Sequence, residues 1–205
     1  LIGIHDCYTF TSKGAPSLKE KGEEILLENP VYSKSYPWDG GPSYVVCPQA
    51  RLRFAKRNIS IYKREIPSLT AHFTDCLSGW PLYECYNPKH LTTRTNDKEL
   101  KIQLLKFISE DAKLIIGSEV GVSYLVPYTH YFMSINQNGP RQCIWTPLWN
   151  LVYHGAINCY WHEGESYNRP GFQSSYPYVE KFLRDLLCGQ PSQWNFYCDG
   201  YEYYR

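Results

Sequence analysis

The sequence predicts an α/β protein that forms part of a (β/α)8 barrel of the TIM type. Three observations lead there. Apolar runs recur with acidic residues at or near their ends, segments with helical periodicity fall between and after them, and the 205 residues fall short of the ~250 that a full barrel takes. The expectation is one truncated barrel domain spanning residues 1–205.

The elements are read in chain order. Leu1–Tyr8 (LIGIHDCY) is a short apolar run turning polar at its end, as a buried parallel strand that delivers side chains to a site would be. Pro37–Pro48 carries Pro and Gly and reads as a long βα loop, which in barrels lies over the active site. Ser68–Cys76 (SLTAHFTDC) and Ala112–Glu119 (AKLIIGSE) are two further strands with a carboxylate at the C-terminal end. Between them, Leu100, Leu104, Leu105 and Ile108 line one face of a helix over Asn96–Asp111, with Asn96 as the cap and Glu99 three residues on. Leu148–Tyr160 suggests a short helix running into another buried strand. Val179, Phe182, Leu183, Leu186 and Leu187 follow helical spacing up to the stop at Gly189, while residues 169–205 carry no functional motif.

Composition narrows the function. Hydrophobic residues make up 43% of the chain and charged residues 20%, enough for a real core. The formal net charge is +1, with Lys and Arg scattered, so no nucleic-acid partner is expected. No apolar run of about 18 residues suggests a membrane span. Eight cysteines show no Cys-x-x-Cys spacing of a zinc or redox site, so most are expected as buried free thiols. The cysteines and the sequon Asn58-Ile59-Ser60 lean toward an extracytoplasmic or secreted setting, although the compartment stays open because any export signal would lie upstream. Aromatic residues reach 16%, with 19 Tyr and 6 Trp, and flat faces with polar tips suit sugar rings as well as cores.

Asp75 and Glu119, about one βα unit apart, would stand on adjacent strands at the same rim. Adjacent strands lie about 4.8 Å apart, which suits the ~5–5.5 Å between the carboxyls of a retaining glycosidase. A strand-end acid can equally be solvated or cap the next helix.

The wording around these acids is more specific. Phe73-Thr74-Asp75-Cys76, then Glu84-Cys85-Tyr86-Asn87-Pro88-Lys89-His90 with Arg94, then Gly117-Ser118-Glu119-Val120-Gly121 with Val126-Pro127-Tyr128, then Pro147–His154, together resemble glycoside hydrolase family 129. That family is related to the endo-α-N-acetylgalactosaminidases of family 101, and the resemblance covers roughly residues 1–168. It implies Asp75 as nucleophile and Glu119 as acid/base of a retaining hydrolase. The substrate implied is a terminal α-linked galactose-type sugar, an N-acetylgalactosaminide or an anhydrogalactoside.

Further candidates for holding sugar are Asp6, His90, Arg94, Tyr128, His154 and Trp161. Asp6 would share the rim or cap an element, Arg94 would steady a carboxylate or form a surface ion pair, and His154 is read as a strand-end imidazole. Trp38 and Trp80 join Tyr128 and Trp161 as possible sugar platforms. The sequence departs from the family pattern at Gly155, Ser123, His130 and Glu165, where other residues are expected. Some relatives bind calcium, but no acidic cluster with ligand spacing supports one here, so no metal or cofactor is expected. A carbohydrate is the expected partner. Two alternatives remain open at this level: a non-catalytic carbohydrate-binding barrel, and an inverting glycosidase using the same acids.

Overall fold

The computed structural model describes residues 2–12, 15, 25, 35–37, 42–133, 148–160, 183, 185–189 and 191. The chain divides into two compact units, Leu1–Thr129 and His130–Arg205, each taken by itself.

The first unit is built on three parallel strands. β1 (Gly3–Cys7) pairs with β5 (Ala71–Asp75), which pairs with β6 (Ile115–Glu119). The register places Cys7 opposite Asp75, and Thr74 opposite Ser118. Between β1 and β5 the chain forms a small antiparallel sheet of β2 (Phe10–Ser12), β4 (Ser43–Val45) and β3 (Ser35–Tyr36), in that order. The stretch expected as the loop Pro37–Pro48 therefore contains a strand and the first residue of a helix.

That helix, α1 (Pro48–Glu65), has Pro at its first position and Lys63 and Arg64 in its last turn, which suits a fixed φ at the start and cations at the negative end of the dipole. The sequence reading names no element here. Its buried side chains are Pro48, Ala50, Arg51, Phe54, Ala55 and Ile59.

The helix expected over Asn96–Asp111 is α2 (Arg94–Lys106), continued by a π turn over Phe107–Asp111. Leu104, Leu105 and Ile108 are fully buried. Its cap is Thr93 rather than Asn96. Thr93 Oγ1 accepts from the Asn96 amide at 3.2 Å, while Asn96 Oδ1 accepts from the Thr93 amide at 3.2 Å, a reciprocal box that satisfies two otherwise unpaired donors. The strand–helix–strand crossovers on a parallel sheet give the α/β class that the sequence predicts.

A buried ion pair ties the helices together. Arg51 Nη1 of α1 donates to Asp97 Oδ1 of α2 at 3.0 Å, with 2% and 0% of the side chains exposed. Asp97 Oδ2 also accepts the Tyr83 amide at 2.7 Å, and Lys101 Nζ donates to the Trp80 carbonyl at 2.9 Å. The segment Trp80–Tyr83 is thus pinned to α2, and through Asp97 it shares a partner with Arg51 of α1. A 3-10 turn, Ser123–Tyr128, follows β6 and buries Leu125.

In the second unit, β7 (Tyr131–Met133) pairs in parallel with β8 (Asn158–Cys159), and α3 (Leu148–Tyr153) lies between them in sequence. This is the helix running into a strand expected over Leu148–Tyr160. Of the helix expected up to Leu187, residues 183 and 185–187 are helical among those described, and Gly189 takes φ 62°, the left-handed conformation of a helix stop. No described helix is long and apolar enough to cross a membrane.

Candidate functional site

Side chains alternate along a strand, so residues that face each other in register share a face. His5, Cys7, Phe73, Asp75 and Glu119 lie on one face, and Asp6, His72, Thr74 and Ser118 on the other. Asp75 and Glu119 occupy matching positions, one step beyond the last recorded pair of β5 and β6.

The residues that follow the two acids share a conformation. Cys76 and Val120 take φ 59° and 57°, in the left-handed region that a non-glycine residue, above all a β-branched one, rarely occupies. Serines lock this corner. Ser78 Oγ donates to Ser118 Oγ at 2.8 Å, Ser118 Oγ donates to the Thr74 carbonyl at 2.7 Å, and Ser78 Oγ also bonds the Glu119 carbonyl. A Cβ at Gly79 would meet Val120 Cγ2 at 3.2 Å, so the turn after Asp75 passes close against the turn after Glu119.

Asp75 opens onto a cavity of about 520 Å³, whose walls include Cys7, Phe10, Tyr36, Cys76 and Trp80. Phe10 stands edge-on to Trp80 with centroids 4.7 Å apart, and Tyr36 lies 4.9 Å from Trp80. Glu119 stands at the neighbouring strand end but does not line this cavity. Burial works against a charge on Asp75, yet the His5 imidazole beside it and a hydrogen bond from Cys76 outweigh it and hold the carboxyl below its usual range. The contacts are His5 Nε2 at 3.8 Å and Cys76 Sγ at 3.3 Å from Asp75 Oδ2. In return, the carboxylate of Asp75 raises the His5 pKa, against partial burial. An ionised, partly buried carboxylate beside an aromatic-walled space can accept charge-assisted bonds or attack an electrophilic carbon.

The other expected residues are dispersed. Asp6 does not share the face of Asp75; its Oδ2 accepts Asn58 Nδ2 and Tyr62 OH of α1, each at 3.0 Å, so it fastens the helix to β1. The amide of the sequon residue Asn58 is engaged in that bond. Arg94 is 70% exposed and pairs with Glu84 at 3.8 Å, which is the surface ion-pair reading. Tyr128 is half-buried with Lys106 Nζ 5.3 Å from its ring centre, away from the cavity walls. His90 sits in a turn beside Cys85 rather than beside Asp75. His154 lies in an exposed turn before β8, so it precedes a strand rather than ending one; Gly155 follows at φ 81°, a conformation that favours glycine over an acid. Trp161, Trp38 and Glu165 lie outside the described residues.

Sequence reasoning missed His5, Cys7, Phe10 and Tyr36. The clue for His5 is parity: it lies two residues from Cys7, which faces Asp75, but only the β1–β5 register reveals which residue of β1 faces which of β5. The described cysteines, Cys7, Cys47, Cys76, Cys85, Cys159 and Cys188, are all free thiols.

No family model matches the sequence, and no curated protein matches it. Solved structures share the fold. Ligand-free alpha-N-acetylgalactosaminidase NagBb from Bifidobacterium bifidum superposes with a TM-score of 0.78 at 20% identity, over 96% of this chain and 32% of that one. The GalNAc complex of the same enzyme gives 0.73 at 21% identity, over 93% and 30%, and its Gal-NHAc-DNJ complex gives 0.77 at 20%, over 96% and 31%. This chain spans about a third of the length of those proteins. At this identity the likeness concerns the fold.

Proposed function

We propose that the chain carries the catalytic carboxylates of a retaining glycoside hydrolase acting on a terminal α-linked galactose-type sugar, an N-acetylgalactosaminide or an anhydrogalactoside. The observation that carries the reading is the matching of Asp75 and Glu119 on adjacent parallel strand ends, with Asp75 held ionised at an aromatic-walled cavity. The shared fold with an alpha-N-acetylgalactosaminidase supports it, as does the motif resemblance.

In this reading an Asp75 oxygen attacks the anomeric carbon while the bond from that carbon to the leaving oxygen breaks, and Glu119 gives its proton to the leaving oxygen. Glu119, now a carboxylate, takes a proton from water. The water oxygen attacks the same carbon, frees Asp75 and leaves the anomeric configuration retained. The depressed pKa of Asp75 suits a nucleophile that must be ionised before attack. Trp80, with Tyr36 and Phe10 beside it, offers a flat apolar wall for a sugar face.

The test is turnover of an aryl α-N-acetylgalactosaminide by the intact protein and by Asp75→Asn, with proton NMR of the first-formed sugar. Loss of turnover in the variant and an initial α-anomer are expected. Full turnover by Asp75→Asn would sink the nucleophile assignment, an initial β-anomer would indicate an inverting enzyme, and binding without turnover by the unmutated protein would indicate a non-catalytic sugar-binding barrel.

A further inference from the structure

Apart from Asp75 and its cavity, a second group of reactive side chains meets in the first unit. The sulfurs of Cys47 and Cys85 and a ring nitrogen of His90 all lie within 4.8 Å of one another, and Cys85 Sγ is 3.3 Å from His90 Nδ1. Both cysteines are buried, and His90 is half-buried. A tetrahedral zinc ion with Zn–S of about 2.3 Å and Zn–N of about 2.0–2.1 Å sets its ligand atoms roughly 3.5–3.8 Å apart. The Cys85–His90 separation of 3.3 Å is close to that, and the remaining separations are within 4.8 Å.

The backbone builds the arrangement from two directions. Cys85 and Thr92 form a two-way bridge, with amide-to-carbonyl distances of 2.8 and 3.0 Å, and the His90 amide donates to the Asn87 carbonyl at 3.0 Å. This closes a tight knuckle that presents Cys85 and His90 at Cys-x4-His spacing. Cys47 comes from elsewhere, as the residue that caps α1 ahead of Pro48 without using its side chain as a cap. Its sulfur reaches the knuckle at two points, 3.6 Å from the His90 carbonyl and 3.8 Å from Thr92 Oγ1.

We propose that Cys47, Cys85 and His90 form a structural binding site for a zinc-type soft divalent cation, with the Thr92 hydroxyl or a water as fourth ligand. On binding, the two thiols release their protons to solvent and neutral His90 supplies a nitrogen lone pair, so two thiolates balance the dication and no net charge is buried. The ion would fasten the start of α1 to the 85–92 knuckle. Val45, Cys47, Tyr83 and Cys85 form one buried cluster, with Phe10, Tyr36 and Trp80 packed against it, so the cation would stiffen the wall that carries the aromatic lining of the cavity.

The test uses the intact, reduced protein freed of metal, reconstituted with zinc alone and separately with cobalt alone. Expected are about one zinc per chain, a cobalt spectrum with the thiolate charge-transfer band and the strong visible absorption of tetrahedral coordination, and a melting temperature raised by zinc and lowered by a chelator. Cys47→Ser and Cys85→Ser lose the zinc, His90→Cys keeps it with a cobalt spectrum shifted toward three thiolates, and Cys7→Ser, which alters a thiol in the wall of the Asp75 cavity, leaves it unchanged. Should the serine variants fail to fold, the cobalt spectrum and chelator response of the unmutated protein still decide. Free thiols with no zinc after reconstitution, a Cys47–Cys85 disulfide by mass spectrometry, or loss of zinc in Cys7→Ser in place of Cys85→Ser would overturn the proposal.

Discussion

Asp97→Ala should be among the most damaging single substitutions outside the candidate site. Asp97 is 0% exposed and accepts from the 2%-exposed Arg51 guanidinium at 3.0 Å and from the Tyr83 amide at 2.7 Å. Removing it strands a buried cation that keeps only the Val46 carbonyl, at 3.2–3.3 Å, as a recorded acceptor. Breaking a buried pair from one side costs about 3–5 kcal/mol, against a typical total stability of roughly 5–15 kcal/mol. For a chain of this size each kcal/mol moves Tm by roughly 2–4 °C, so a fall of about 6–20 °C is expected. The assay is urea and thermal unfolding followed by circular dichroism. Arg64→Ala provides the control, because the Arg64–Glu65 pair is 71% and 63% exposed and such pairs contribute about 0–1 kcal/mol. Arg51→Met with Asp97→Leu removes both charges and should be less damaging than Asp97→Ala alone. If Asp97→Ala costs no more than Arg64→Ala, the clamp between α1, α2 and the Trp80–Tyr83 segment is not what holds this region.

Two further outcomes follow from the titrating groups. Burial pushes Lys101 down to about 8 from 10.5, with Asp97 raising it and Arg51 lowering it. Between those values the unfolded chain holds a proton that the folded chain has shed, so this lysine contributes about 2–3 kcal/mol of stability that grows from pH 8 toward 10, while the Cys47, Cys76 and Cys159 thiols, held above their usual range, contribute in the opposite sense from about pH 9. Above pH 10 the tyrosines oppose it, since burial holds Tyr62 and Tyr124 up at about 12. Across that window the urea midpoint of the unmutated protein should gain on that of Lys101→Met as pH rises; a constant difference between the two would contradict the assignment. His5→Ala removes an imidazole whose ion-pair contact holds Asp75 down, so the acid limb of kcat/KM should move to higher pH. An unmoved limb would mean that His5 does not tune Asp75.

What the sequence disclosed depended on whether a feature is local. The α2 helix is legible because Leu104, Leu105 and Ile108 repeat on one face and all three are buried. Its start was misread by three residues because Thr93 and Asn96 are both good caps and act on each other. In α1 the buried stripe consists mostly of two alanines, Phe54, Ile59 and a charged Arg51, which leaves no clear apolar periodicity until Asp97 is seen to neutralise the arginine. The short strands β3 and β4 were hidden among turn-forming residues, since pairs this brief are set by their partners rather than by propensity.

The candidate site divides in the same way. That Asp75 and Glu119 end their strands can be read from two apolar runs, but the choice between His5 and Asp6 rests on the β1–β5 register, and a one-residue slip exchanges the faces. Asp6 therefore looked like a rim acid and turned out to hold α1. The grouping of Cys47 with Cys85 and His90 is wholly tertiary, and only its Cys-x4-His half is visible along the chain.

Covalent trapping is the sharpest test of Asp75 as the nucleophile of a retaining reaction. The intact protein would be treated with a 5-fluoro-α-galactosyl fluoride or its N-acetylgalactosamine analogue, digested and sequenced by mass spectrometry. A single glycosyl ester on Asp75 is expected, absent in Asp75→Asn and more slowly released by water in Glu119→Gln. An ester on another carboxylate, or rapid turnover of the fluoride by Asp75→Asn, would contradict it.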